Sequence, residues 1–157
     1  MMSEPATTAP LRILVAHGPN LNTLGRREPA IYGTTTLEEI NARLAARAAE
    51  LGCEAVTFQS NAEGALIDFL QAEGPSAAGL VINAGGLSHT SVALRDAVAG
   101  MGRPAIEVHV SNIYAREPFR QTSLLAPVCR GQISGLGWRG YLYALDALIT
   151  KGADSPL

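Results

Sequence analysis

The stretch Gly79-Leu-Val-Ile-Asn83-Ala-Gly-Gly-Leu-Ser-His89-Thr-Ser91, with its continuation to Met101, holds a strand, a polar loop and a helix in succession. The run at 79–83 is apolar without alternation, as in a strand covered on both faces. A Gly-rich break follows at 83–90, and residues 91–101 predict a helix. The same order repeats on either side. Upstream, the apolar β-branched run at 12–16 predicts a strand. Thr35 or Thr36 then offers an N-cap, with Glu38 or Glu39 three residues on. Leu37, Ile40 and Leu44 follow at helical spacing, and Gly52 closes the helix. Residues 54–59 predict a second strand and 62–72 its helix. Downstream, strands are predicted at 105–110 and 128–134, and a last helix at 138–149. Five β-then-α units predict an α/β fold with a parallel sheet covered on both faces. Right-handed crossovers make it doubly wound, and its size suggests five strands in the order 2-1-3-4-5.

The chain has 157 residues, 47% hydrophobic and 17% charged, which fits one globular domain over residues 11–151. Residues 1–10 and 152–157 read as flexible tails. A net charge of −2 argues against a nucleic-acid partner. No apolar run is long enough for a signal or a membrane span, so a cytoplasmic protein without a membrane partner is expected. Cys53 and Cys129 lack metal-ligand spacing and read as small apolar residues in a reducing compartment.

In such sheets ligands bind outside the carboxyl ends of the strands. The chain's three histidines, His17, His89 and His109, each follow an apolar run at such an end. Asn20, Asn83, Ser111 and Asn112 lie beside them. A long loop at 18–34 carries Arg26, Arg27, Glu28 and Tyr32 and reads as a lid, while Arg116 and Arg120 follow the fourth strand.

Several chemistries can be weighed against this set. Gly135-x-Gly137-x-x-Gly140 matches a dinucleotide fingerprint, but no later strand follows to supply the ribose-binding acid; a tight turn with close helix–strand packing is the plainer reading. Three histidines could hold zinc, yet there is no HExxH and no carboxylate dedicated to any of them. No G-x-S-x-G elbow is present. The single lysine, Lys151, stands at the edge of the C-terminal tail, which argues against imine chemistry.

What remains is acid–base chemistry on an anionic substrate. Tyr32 is a candidate base. A phenol ionises near pH 10. One nearby cation moves such a group by about 1–3 pH units, so two arginines serve better than one. Arg27 and Arg116 are the candidates, with a packing tyrosine on a lid as the alternative. His109 by default reads as a satisfied structural histidine, but Ser111 and Asn112 beside it favour a role, and N–H groups at such a turn form an anion nest.

Assembled in order, these residues resemble the type II 3-dehydroquinate dehydratases. The blocks are Gly18-Pro-Asn-Leu, Gly25-Arg-Arg-Glu-Pro-Ala-Ile-Tyr-Gly33, Gln59-Ser-Asn, Ile82-Asn-Ala-Gly-Gly, His89-Thr-Ser-Val-Ala-Leu-Arg-Asp96, Glu107-Val-His-Val-Ser-Asn112 and Ala115-Arg-Glu-Pro-Phe-Arg120. The resemblance implies a flavodoxin-like fold and cofactor-free trans-dehydration of 3-dehydroquinate to 3-dehydroshikimate through an enolate, a step shared by the shikimate pathway and quinate breakdown. No metal is implied. Tyr32 would match the family's base, Arg27 the arginine that holds its phenolate, and Asn20 a residue that stabilises the enolate through water. His109 would match the acid that protonates the departing hydroxyl. Asn83, His89 and Arg120 would hold substrate hydroxyls, with Arg116 beside them. Backbone N–H groups of Val110 and Ser111 would bind the carboxylate. Asp96 would reach the neighbouring subunit's site in a homododecamer, a tetramer of trimers.

The chain departs from the usual family pattern at His17, Ala62, Tyr114 and Pro118, and His17 is left as a site-edge residue with no role. The alternative from another class is a non-catalytic flavodoxin-like module binding a phosphate or a flavin, which would not need the set of Arg27, Tyr32 and His109.

Overall fold

The computed structural model describes residues 8–150. In chain order the main elements are β1 (Leu11–His17), α1 (Pro29–Tyr32), α2 (Leu37–Leu51), β2 (Cys53–Gln59) and α3 (Glu63–Glu73). They continue with β3 (Gly79–Asn83), α4 (Val92–Gly100), β4 (Ala105–His109), β5 (Gly131–Ser134) and α5 (Arg139–Ile149). The strands form one parallel sheet in the order β2-β1-β3-β4-β5, the predicted doubly wound α/β arrangement.

Strand alternation sorts the core into two layers. Ile13, Val15, Val81 and Val108 face α2 and α5, where Ile40, Leu44, Tyr141 and Leu145 cover them. Leu14, Ala16, Leu80 and Ile82 face α3 and α4 and meet Leu66, Leu70, Leu94 and Val98. Helix α2 starts where its capping box predicts: Glu39 N–H donates to Thr36 Oγ at 3.2 Å, and Thr36 N–H donates to Glu39 Oε2 at 2.8 Å.

Two expectations need correcting or placing. The fifth strand starts at Gly131, not at residue 128, because Pro127 sits in a 3₁₀ turn over Ala126–Val128 and the Val128 and Cys129 N–H groups both bond to Leu125 O. Residues 8–10 are exposed and irregular; the rest of the expected tails, and Lys151, lie outside the described residues. Among the described residues Cys53 and Cys129 are unpaired, and no helix is long and apolar enough to cross a membrane.

The glycine pattern after β5 serves packing. A Cβ on Gly140 would lie 3.2 Å from Ile133 Cγ2 and 3.4 Å from Val108 Cγ1, and Gly135 takes φ 87° hard against Asn112. Glycine lets α5 close down onto β4 and β5, and the motif is accounted for without a nucleotide.

Candidate active site

The chain winds from β1 outward to β2 and then crosses back to β3 on the other side of β1, so a crevice opens outside the carboxyl ends of β1, β3 and β4. Its back wall is a seam between two loops. Gly18 N–H donates to Asn83 O at 2.7 Å, and a Cβ on Gly18 would sit 2.4 Å from Ala84 O. Only glycine permits that approach. The resulting polar crevice encloses about 140 Å³.

One side of the crevice is built by the loop after β1. Among the described residues, Asn20 (φ 69°) and Glu28 (φ 39°) are the only non-glycine residues with positive φ, and they bracket Arg27. Such conformations cost energy and persist where surrounding contacts fix them. Asn20 is fixed by its N–H bond to Asn61 Oδ1 at 2.9 Å. Glu28 is followed at once by α1, with Pro29 at its first position, and α1 delivers Tyr32 to the crevice. The Arg27 guanidinium carbon lies 5.2 Å from the Tyr32 ring centroid, and that of Arg116 lies 5.1 Å from it. Two cations from different loops therefore converge on one phenol.

The opposite side is the end of β4. His109 is 4% exposed, with Nε2 3.2 Å from the fully buried Glu107 Oε2. The approach is at ion-pair range but off the line of an aligned N–H···O bond. Ser123 Oγ donates to Glu107 Oε1, and Gln132 Nε2 donates to Oε2. Gln132 is oriented in turn by the Tyr114 hydroxyl, which donates to its Oε1 at 2.7 Å. Burial would push the Glu107 carboxyl up, but His109, Ser123 and Gln132 outweigh it and hold the carboxyl below the usual range. An ionised carboxylate thus stands ready as counter-ion for an imidazolium at His109. Sequence reading assigned Glu107 no role. The signal was available, since a carboxylate in an apolar strand two residues before His109 shares its face.

The other predicted residues divide clearly. Asn83, His89, Val110, Ser111, Arg116 and Arg120 line the same crevice as Asn20, Arg27, Tyr32 and His109. His89 Nδ1 donates to Thr122 O at 2.7 Å, which leaves Nε2 as the free ring nitrogen. Arg116 Nη1 reaches Ser111 Oγ at 3.2 Å, and Arg120 Nε grips Glu117 at 2.6 Å in the 3₁₀ turn that Pro118 begins. Arg26 does not line the crevice. Asp96 is exposed and lines a separate recess of about 620 Å³ between α3 and α4. His17 is not a site-edge residue. It is fully buried under the α2–α5 layer, bonded to Asn41 and Tyr141. Its place in the alternation Ile13, Val15, His17 turns it toward that layer.

The family model for class II dehydroquinase matches residues 11–149. The chain belongs to the class II dehydroquinase family. The chain is 61% identical to the 3-dehydroquinate dehydratase of Roseiflexus castenholzii over 146 residues, 93% of each chain. It is 55% identical to 3-dehydroquinate dehydratase 1 of Ralstonia nicotianae over 96% of this chain and 97% of that one. Among solved structures, the type II dehydroquinase of Propionibacterium acnes superposes with a TM-score of 0.87 at 41% identity, covering 92% of this chain and all of that one. The fold thus matches that of a solved member of the family.

Proposed function

We propose that the protein dehydrates 3-dehydroquinate to 3-dehydroshikimate by enolate chemistry, with residues 11–151 as one catalytic domain. The observation that carries the mechanism is the pair of arginines, Arg27 and Arg116, within 5.2 Å and 5.1 Å of the Tyr32 ring. With two guanidinium groups beside its ring, Tyr32 is the base. It takes the proton α to the substrate ketone, and the C–H electron pair moves into the enolate. Asn20, on the same loop, stabilises the enolate oxygen through water. The enolate electrons then form the C=C bond as the β-hydroxyl departs, taking its proton from His109, so one water is lost in all. Glu107 neutralises the imidazolium before transfer and is relieved of it afterwards.

Substrate is held by Asn83, His89 and Arg120 at its hydroxyls and by the Val110 and Ser111 backbone at its carboxylate, with Arg116 adding positive charge next to Ser111. Asp96 serves the site of a neighbouring subunit in a homododecamer; its exposure on α4, beside a large recess, supports that reading. No cofactor or metal enters this scheme. The enzyme is cytoplasmic, in keeping with its two unpaired cysteines. A phosphate- or flavin-binding module has no use for two cations on a tyrosine facing a Glu–His pair.

The test is ultraviolet absorbance of the conjugated enone formed from 3-dehydroquinate. Turnover at enzymatic rates is expected. Absence of turnover by folded protein overturns the assignment.

A further inference from the structure

Behind the crevice lies a chain of polar groups, His17, Tyr141 and Asn83, of which the catalytic scheme uses only Asn83. His17 and Tyr141 are both fully buried, and Asn83, the only one of the three that reaches the crevice, is 3% exposed. Buried polar groups are costly unless each finds its partner, and here the donors and acceptors can be assigned one by one. Gly85 N–H can only donate, and it lies 3.1 Å from Asn83 Oδ1, so that atom is the acceptor. The Asn83 amide nitrogen therefore points the other way and donates to the Tyr141 hydroxyl at 3.0 Å. With its oxygen accepting from Asn83, Tyr141 sends its proton to His17 Nδ1 at 3.1 Å. His17 must then carry its proton on Nε2, where Asn41 Oδ1 accepts it at 2.8 Å. One orientation of each group satisfies the whole chain. It leaves the second Asn83 amide hydrogen as the donor unspent within the chain.

We propose that Tyr141 and His17 are positioning residues that present Asn83 to the substrate as a hydrogen-bond donor, with His17 Nδ1 the acceptor that anchors the chain. The inference rests on the reading of Asn83 as a substrate ligand. Burial supports it by holding His17 down to about 4, against the bond to Asn41, so the ring is neutral at working pH and Nδ1 stays an acceptor. The aromatic contact between His17 and Tyr141, with ring centroids 5.2 Å apart, holds the pair in register. Neither residue touches the groups that move protons, so its loss should appear in substrate binding and leave the chemical step alone.

The experiment compares Tyr141→Phe, His17→Leu and His17→Gln, with Tyr141→Phe also placed in an Asn83→Ala background. KM and kcat for 3-dehydroquinate are measured in each. Tyr141→Phe and His17→Leu are expected to raise KM about five- to tenfold, the effect of one lost aligned hydrogen bond, with kcat within about twofold. His17→Gln, whose side chain can accept from Tyr141 and donate to Asn41, is expected to keep KM close to that of the parent. In the Asn83→Ala background, Tyr141→Phe is expected to add nothing. The same KM factor with and without Asn83 overturns the proposal, as does an unchanged KM in Tyr141→Phe. If Tyr141→Phe does not fold, equal KM values for His17→Gln and His17→Leu overturn it. An Asn83→Ala variant with unchanged KM overturns Asn83 as a substrate ligand and this role for the chain together. A raised KM there with no effect of Tyr141→Phe overturns the chain alone.

Discussion

His17→Gln is expected to flatten the acid side of the stability curve. In the folded protein burial pushes the His17 imidazole down from 6.5 to about 4. The unfolded chain therefore binds a proton that the folded one refuses, and stability falls as pH drops from about 6.5 toward 4. A difference of about 2.5 pH units at ~1.36 kcal/mol per unit comes to about 3 kcal/mol, of which about 2.4 kcal/mol is lost between pH 7 and 4.5. That is a large share of the roughly 5–15 kcal/mol that holds a typical domain together. Below about pH 4.5, protonation of Glu107 adds its own loss, because its carboxyl is also held low when folded, so the informative window lies above it. The assay is urea unfolding at pH 7, 6, 5 and 4.5 at one fixed protein concentration, for the parent and for His17→Gln. Slopes are compared rather than levels, so any cost of the substitution itself cancels. The parent should lose about 2.4 kcal/mol more across the window than the variant. Parallel curves would refute the reasoning and place a charged or solvated His17 in the folded protein.

Four further outcomes follow from the site and its scaffold. Tyr32→Phe should cost about 10²–10⁴ in kcat, the usual worth of a general base, with little change in KM; near-normal kcat would place the base elsewhere. Removing either cation, Arg27→Ala or Arg116→Ala, should lower kcat with little change in KM, and an unchanged kcat would detach that arginine from Tyr32. Glu107→Gln should lower kcat about 10- to 100-fold, a part of what a general acid supplies, and stopped-assay rates across pH should show the loss. Gly18→Ala, whose Cβ would meet Ala84 O at 2.4 Å, should force the two loops apart and cost about 1–3 kcal/mol by overpacking, read as a lower Tm.

The buried strands and the capping of α2 were legible because each rests on local chemistry, and the sheet order followed from the handedness of the crossovers. Thr36 and Glu39 need only each other, and an unbroken apolar run such as 79–83 has few fates besides a buried strand. The convergence of Arg27 and Arg116 on Tyr32 could be posed from charge arithmetic, but the geometry needed the fold, since the two arginines lie on loops 89 positions apart. His17 misled because a strand end names an edge of the sheet and leaves the face open. Counting the alternation back to Ile13 would have turned it inward. The start of β5 was misplaced because Val128 and Cys129 are apolar enough for a strand, while Pro127 and the Leu125 carbonyl bend them into a turn.

The two halves of the crevice do not stand on equal ground. Every residue of β4 is buried in the sheet, whereas α1 is a single turn with no buried residue, entered through a left-handed Glu28. Warming should therefore release the Tyr32 half first, by local opening, while the His109 half stays in register. Over that interval the molecule is a pocket that keeps its acid and has lost its base, and its upper working temperature should be set by the tether of one short loop rather than by the melting of its core.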